Sequence, residues 1–289
     1  MPGWRAKVLL KLVLSRIPLS HGQWKKLGIF RHGPMEDPEY AYEVFMKHFE
    51  RSPFGRKGSG FVAVELGPGD SLFSAMIAAA LGAQCVYLID IGPFASTAPD
   101  IYRSMASYLQ SRGLSPPFRP GPARDVDQVL RLCRARYLTA GLNSLQAIPD
   151  HSVDFVWSHT VLQHIRRREF STYCSEMRRI LRPDGIASHR MDLTDMLAGG
   201  LNNLRFPTRI WEADWVASSG FYTNRMRFSE MLRAFRDAGF ENEIVGVNSW
   251  EVSPIRRSQL ADEFKRLDSR DLLVNGFDVL LRPAGIPRQ

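Results

Sequence analysis

Cysteine is scarce in this chain of 289 residues, and long apolar runs are missing. The three cysteines, Cys85, Cys133 and Cys174, contain no C-x-x-C spacing, which argues against a disulfide framework and against a cysteine zinc site. No apolar run approaches the ~20 residues that a membrane-spanning helix needs. Residues 1–35 also lack any acidic residue. The scarcity of cysteine and of apolar runs predicts a cytoplasmic protein that is kept in a reducing environment.

A glycine turn after an apolar segment is the most informative motif that is present. Residues 61–66 are apolar except for Glu65, and this pattern predicts a buried parallel strand. Gly67, Pro68 and Gly69 follow, and the two glycines permit a tight turn with close approach of a ligand to the backbone. Residues 71–82 then have a helical pattern, with Ser71 as the expected N-cap.

Charge at this turn decides which nucleotide-type ligand fits. A dinucleotide fingerprint requires a third glycine where this chain has Leu72, and it places a pyrophosphate at the helix N-terminus. Glu65 and Asp70 bring two acids to that position, and like charges ~4 Å apart repel by about 4 kcal/mol at an effective dielectric constant near 20. A cationic cofactor without phosphate, such as S-adenosylmethionine, is therefore favoured over NAD.

A second acid follows the next apolar segment. Residues 85–89 predict a strand, and Asp90 comes 23 residues after Gly67. This is close to the spacing at which an acid contacts ribose hydroxyls across a βαβ unit. The glycine turn and Asp90 therefore predict two halves of one cofactor site.

These motifs resemble those of a known family. Residues 65–71 together with Asp90 resemble the first two motifs of class I S-adenosylmethionine-dependent methyltransferases, and residues 144–164 resemble the next two. Residues 176–185 resemble the helix and turn that lead to the fifth strand. The resemblance is close over about residues 60–195. It implies an α/β fold with a doubly wound, mostly parallel seven-stranded sheet, and the sequence adds a long segment after strand five, at about residues 193–226, that we interpret as a lid.

The resemblance also implies a set of cofactor contacts. The glycine turn and Glu65 would hold the methionine part, Asp90 the ribose, and residues 144–145 the adenine, while residues 158–159 would face the methyl group. An asparagine stands where many members carry an acid at the adenine, and its carbonyl can accept from the adenine amine. The predicted cofactor-binding residues are Glu65, Gly67, Pro68, Gly69, Asp90, Ile91, Asn143, Ser144, Leu145 and Ser158.

Two histidines are the predicted catalytic residues. His159 comes just after strand four and His189 lies within strand five, so both are candidates for the base that a hydroxyl acceptor requires. Each is equally compatible with a structural imidazole. His189, Asp192 and Asp195 do not have a spacing that forces them to converge, so no metal site is predicted.

The lid is rich in asparagine, arginine and aromatic residues, which can hydrogen-bond to a polar substrate and stack on it. The predicted substrate-binding residues are Arg205, Trp211, Tyr222, Asn224 and Arg225. Packing of the aromatic residues in a core of the lid itself is the alternative interpretation. Loops after the carboxyl ends of parallel strands commonly carry ligand contacts.

The N-terminal segment carries the excess positive charge. The net charge is +8, and once the seven basic residues of positions 1–35 are set aside, 31 basic residues stand against 30 acidic ones. Residues 1–59 are expected to form a basic helical arm and cap before a cofactor-binding domain at 60–289. The apolar residues at 8–14 surround the predicted helix, which favours packing over the cofactor pocket, and peripheral contact of residues 1–31 with an anionic membrane is the alternative. The lack of a nucleic-acid-reading module argues against nucleic acid as a partner.

The sequence thus predicts an S-adenosylmethionine-dependent methyltransferase that acts on a small molecule or a glycan, with O-methylation favoured. A nicotinamide-dependent oxidoreductase and a non-catalytic S-adenosylmethionine-binding partner protein are the alternatives.

Overall fold

A single seven-stranded sheet forms the centre of the protein. The structure is a computed structural model that describes residues 34–54, 60–118 and 125–285, so the predicted basic arm falls largely outside the described residues. The strands are β1 (Val62–Leu66), β2 (Cys85–Ile89), β3 (Ala135–Leu138), β4 (Val153–His159), β5 (Leu181–Asp192), β6 (Phe240–Ser249) and β7 (Val274–Pro283).

The strand order is β3-β2-β1-β4-β5-β7-β6, and β7 pairs antiparallel with both of its neighbours. The pairs from β3 through β5 are parallel, which confirms the predicted doubly wound, mostly parallel sheet. The chain reverses its direction of travel between β1 and β4. Open α/β sheets bind ligands at such a switch point, outside the carboxyl ends of the strands.

Helices cover both faces of the sheet. In the described residues they are α1 (Pro38–Phe49), α2 (Phe73–Ala80), α3 (Pro99–Ser111), α4 (Val126–Leu132), α5 (Leu142–Gln146), α6 (Arg167–Ile180), α7 (Thr208–Trp211), α8 (Asp214–Ala217), α9 (Phe228–Asp237) and α10 (Ser269–Leu273). Short 3₁₀ turns occur at Leu162–His164, Asn202–Arg205, Arg257–Gln259 and Asp262–Phe264.

Alternation along the strands divides the core into two layers. Ala63 of β1 and Trp157 of β4 pack with α1, α2, α3 and α4, whereas Val64 and Val156, one residue along, pack with α6 and α9. Phe45 of α1 lies edge-on to Trp157, with ring centroids 5.5 Å apart. Because successive side chains of a strand point to opposite faces, each strand end contributes residues to both layers.

Three local predictions are wrong. Ser71 does not cap α2: its hydroxyl donates to the Met35 carbonyl, and α2 begins at Phe73 without a side-chain cap. The sequence also predicts a helix over residues 126–137, but the helix ends at Leu132, because Arg134 adopts φ 52° and turns the chain into β3. It further predicts helical residues near 257–267, where the structure has two 3₁₀ turns.

Candidate active site

The glycine turn after β1 has the backbone conformation that its sequence predicts. Gly67 and Gly69 have φ values of 69° and 68°, in the left-handed region that favours glycine. Asp90, which follows β2, accepts hydrogen bonds from the Gly69 amide at 3.3 Å and from the Ile91 amide at 2.7 Å. The acid at the end of β2 therefore braces the turn at the end of β1.

Glu65 lies in the interior behind this turn. The carboxyl is 2 % exposed and accepts a hydrogen bond from the Ser74 hydroxyl of α2. Burial raises the pKa of Glu65 to about 8; the Ser74 hydrogen bond opposes the shift, and the negative charge of Asp90 adds to it. A nearby cation would favour the ionised form, so this carboxyl is suited to a positively charged ligand group.

The residues predicted to contact the adenine include one exposed apolar residue. Ile91 is 76 % exposed, and Asn143 is also exposed. The Ser144 hydroxyl accepts from the Ala140 amide at 2.9 Å, so it is already used to hold the loop. Leu145 is completely buried in the core, because α5 turns its side chain inward, and its contact with the adenine stays a prediction.

The loop after β4 packs directly on the glycine turn. A Cβ atom added to Gly67 would lie 2.6 Å from Cγ2 of Val161. Thr160 has φ 57°, a left-handed conformation that is unusual for a β-branched residue, and its amide donates to the Arg190 carbonyl at 2.8 Å. Strained backbone of this kind is concentrated at functional sites. The close approach of Val161 to Gly67 places the carboxyl end of β4 beside the predicted cofactor turn.

His159, at the end of β4, belongs to a histidine pair. Its Nδ1 lies 3.1 Å from Nε2 of His48 in α1, and Nδ1 of His48 lies 2.8 Å from the Ser188 hydroxyl of β5. Burial lowers the pKa of His159 to about 4, and the positive charge of Lys47 adds to this shift. Burial, with His159 nearby, also holds the pKa of His48 well below its ordinary value. Both imidazoles are therefore neutral at pH 7.

His189 occupies a different environment, although it is one strand away. It is completely buried, its Nδ1 lies 2.8 Å from the Ser158 hydroxyl, and its ring stacks on Phe235 of α9 at 6.3 Å. Burial lowers the pKa of His189 to about 3. Ser158 is completely buried as well. Both side chains lie in the layer that contains α9, and the roles of His189 as a base and of Ser158 beside the methyl group stay predictions.

Three cations converge on one acid next to His159. Asp278 of β7 lies 2.8 Å from Arg190, 3.1 Å from Arg51 and 3.3 Å from Lys47. Although burial opposes its ionisation, the Arg51 hydrogen bond and the charges of Lys47 and Arg190 hold the pKa of Asp278 below its ordinary value. Sequence reasoning missed this cluster, because the pairing of β5 with β7 brings together residues that are far apart in the chain.

Residues 64–188 match a family model described as a methyltransferase domain. This segment spans the glycine turn, Asp90 and the strand that ends at His159. This part of the chain is therefore similar to a methyltransferase domain. The sheet order agrees with the fold that the sequence resemblance implied.

Solved structures resemble the chain only distantly. One is the complex of the Haloferax volcanii Trm112 methyltransferase activator with a candidate methyltransferase (16 % identity, 93 % of this chain, 100 % of that chain, TM-score 0.48). Another is the YcgJ protein of Bacillus subtilis (12 % identity, 86 % and 100 % coverage, TM-score 0.46). A third is the Haemonchus contortus phosphoethanolamine N-methyltransferase 2 in complex with S-adenosyl-L-methionine (14 % identity, 84 % and 53 % coverage, TM-score 0.46). Comparison with curated proteins gives no match.

The segment at about residues 193–226, which the sequence predicts to be a lid, has most of its aromatic and arginine side chains in structural contacts. Trp211, Tyr222, Asn224 and Arg225 are each 4 % exposed or less. Arg225 donates to the Phe206 carbonyl at 2.6 Å and lies over the Phe264 ring at 4.8 Å. Asn224 donates to the Leu162 and Ile165 carbonyls after β4 at 3.0 and 3.1 Å. Arg205 is half-buried and donates to Asn202 at 3.0 Å and to Gln259, outside the segment, at 3.1 Å. These contacts are structural, and the substrate role of the five residues stays a prediction.

Two further features concern the described ranges of the chain. Within residues 34–54, 60–118 and 125–285, no three histidine, cysteine or acidic side chains are grouped as a metal ion would require. Asp195, one of the three residues weighed for a metal site, instead accepts from the Leu197 and Ala198 amides at 2.9 and 2.7 Å. None of the helices in those ranges has the length and apolar character to span a membrane.

Proposed function

We propose that this chain transfers the methyl group of S-adenosylmethionine to a small-molecule or glycan acceptor, and that an oxygen atom receives it. The observation that carries the proposal is the pairing of an acid-backed glycine turn with a neutral, partly exposed histidine at the end of the adjacent strand. The family match over residues 64–188 supports the same chemistry.

The cofactor is proposed to lie across the ends of β1 and β2. Gly67 and Gly69 allow its amino-acid part to approach the backbone closely, with Glu65 behind the turn to favour its positive charge. Asp90 can accept from the ribose hydroxyls while it braces the turn. Ile91 and Asn143 present an apolar surface and an amide to the adenine. When bound, S-adenosylmethionine supplies the methyl group for an in-line displacement.

His159 is proposed to remove the acceptor proton. The distances among the two histidines and Ser188 permit two opposite sets of donors. The proposal uses the set in which His159 Nδ1–H donates to His48 Nε2 and His48 Nδ1–H donates to the Ser188 hydroxyl. In that arrangement His159 Nε2 keeps a free lone pair for the hydroxyl of the acceptor. Positioning of the two reactants supplies the larger part of the rate, since effective molarities reach ~10⁵–10⁸ M.

The decisive experiment uses S-adenosylmethionine labelled in its methyl group. We expect that host extract incubated with the protein yields a labelled small molecule or glycan together with S-adenosylhomocysteine. His159→Ala should lower turnover while the cofactor affinity is largely kept. His151→Ala is the matched control, because His151 is exposed and lies before the opposite end of β4. Cofactor binding without any labelled product would favour a non-catalytic binding protein, and full activity of His159→Ala would exclude His159 as the base.

A further inference from the structure

We propose that the methyl acceptor carries an anionic group, a carboxylate or a phosphate, which binds to Lys47, Arg51 and Arg190 beside His159. We call these three cations the basic cluster. The inference rests on the proposed function and names the class of its acceptor.

The charge of the basic cluster is not balanced. Three cations share Asp278, and among the described residues it is the single carboxylate within ion-pair distance of any of them. The site therefore holds a net charge of +2 next to two neutral histidines. An anion that binds there would restore neutrality without displacing Asp278.

The guanidinium groups retain unused donors. Arg51 and Arg190 each use one N–H in a side-chain hydrogen bond to Asp278, out of the five that a guanidinium offers. None of their remaining nitrogens is a buried atom without a partner, so those nitrogens can be reached from solvent. Both side chains are only 19 % exposed, and partly desolvated arginines bind carboxylate and phosphate more strongly than fully solvated ones. A forked donor pair is suited to either of these anions.

The basic cluster lies on the reacting side of the sheet. Arg190 pairs with His159 in the register of β4 and β5, and its carbonyl accepts from the Thr160 amide at 2.8 Å. Val161, two residues after His159, lies directly against Gly67 of the glycine turn. Because β4 lies between β1 and β5 in the sheet, an acceptor anchored by the basic cluster would extend past His159 toward the cofactor turn, at the carboxyl edge where such sheets bind ligands.

The cations of the basic cluster come from two structural elements. Lys47 lies in the last turn of α1 and Arg51 follows it by four residues, just after the helix ends, whereas Arg190 comes from β5. Cations from a helix and from a strand fix an anion in two directions, which is what orientation of a small acceptor requires. A structural role alone would need only one cation to balance Asp278.

The first test measures anion binding without any turnover. The protein, with labelled histidine, is titrated with inorganic phosphate and separately with benzoate at constant ionic strength, and the NMR signal of His159 is followed. We expect saturable shifts and a rise in the pKa of His159, because a bound anion favours the imidazolium. Arg51→Met should weaken binding about tenfold, which corresponds to about 1.4 kcal/mol. Asp278→Asn should tighten it, since it removes the competing carboxylate.

The matched control is Arg103→Met. Arg103 is a partly exposed arginine that also pairs with one aspartate, Asp100, at 3.2 Å, and its removal should leave anion affinity unchanged. Equal affinity of the wild type, Arg51→Met and Arg103→Met would overturn the proposal, as would the lack of a saturable shift with either anion. If Asp278→Asn does not fold, the comparison of Arg51→Met with Arg103→Met still tests the proposal.

The second test separates this inference from the proposed function. Binding of S-adenosylmethionine is measured first, and labelled methyl transfer is then compared between acceptors that differ only in a carboxylate or phosphate group. Preference for the anionic member, lost in Arg51→Met, supports the proposal. Transfer with equal preference for the neutral member refutes the anionic acceptor and leaves the methyltransferase function standing. Failure to bind the cofactor refutes the function itself, whatever the anion titration gives.

Discussion

Substitution of Gly67 by alanine tests the geometry of the cofactor turn most sharply. Gly67 has φ 69°, and a Cβ atom at this position would lie 2.6 and 2.8 Å from the two γ carbons of Val161. Real Cβ atoms do not approach carbon this closely, so either the turn or the loop after β4 must move. The substitution should therefore affect both stability and cofactor binding.

The expected cost of Gly67→Ala has two parts. A left-handed conformation costs an alanine about 1–2 kcal/mol relative to glycine. Overpacking against Val161 adds ~1–3 kcal/mol. The free energy of unfolding should fall by about 2–5 kcal/mol, as the sum of the two.

Gly113 provides the matched control for the conformational part. Its φ is 77°, and nothing lies within 4 Å of an added Cβ atom. Urea unfolding of Gly113→Ala should show only the ~1–2 kcal/mol conformational cost. Gly67→Ala should lose more than this control and should also bind S-adenosylmethionine more weakly by calorimetry, whereas Gly113→Ala should keep the wild-type affinity.

A double-mutant cycle completes this test. Val161→Ala introduced into Gly67→Ala should recover most of the steric part, so the two substitutions should not be additive. Equal losses in Gly67→Ala and Gly113→Ala, or no recovery with Val161→Ala, would refute the contact between the turn and the loop after β4.

Three further predictions concern charged residues. Asp90→Ala should weaken S-adenosylmethionine binding about tenfold or more in calorimetry, since it removes a charged acceptor that also braces the turn, whereas the exposed N-cap variant Asp125→Ala should leave affinity unchanged. The folded-state pKa of Glu65 is raised from 4.5 to about 8, so the stabilisation from its protonated form is complete below pH 4.5 and is lost as the pH rises through 8. Glu65→Gln should remove this decline in the free energy of unfolding, measured with urea as a function of pH. An unchanged pH slope in the variant would contradict the raised pKa. Arg225→Met should lower the free energy of unfolding by about 1–3 kcal/mol, because the buried Phe206 carbonyl loses its donor. The variant should also speed hydrogen exchange in the lid. Exchange as slow as in the exposed variant Arg209→Met would contradict the internal role of Arg225.

The first strand, the glycine turn and the acid after the second strand could be predicted from the sequence because their signals are local. An apolar run, two glycines and an acid at the end of the next strand all lie within about thirty residues, and each has a direct physical meaning. The predicted helix over residues 126–137 is longer than the observed one, because the apolar pattern continues into β3. The turn between them depends on Arg134, which is not a residue type that marks a break.

The orientation of the two histidines could not be predicted. His159 and His189 lie near the ends of neighbouring strands that are buried on both faces, so no apolar–polar alternation indicates which side chain faces the cleft. His159 points to the layer of α1, and His189 points to the layer of α9. The partner that distinguishes them, His48, is 111 residues from His159 in the chain.

The lid shows a related ambiguity of composition. Tryptophan, tyrosine and arginine are common both in substrate sites and in small cores, and the sequence alone does not separate the two. Here Trp211 donates its indole N–H to the Thr223 carbonyl at 2.7 Å, and Arg225 is buried between this segment and Phe264. Such side chains can be buried because hydrogen bonds satisfy their polar ends.

The central claim is that the acid-backed turn between β1 and α2 binds S-adenosylmethionine. Isothermal titration of the protein with S-adenosylmethionine, followed by competition with NAD, tests this claim directly. We expect saturable binding at one site per chain that NAD does not displace. Absence of binding, or displacement by NAD at the same turn, would contradict it.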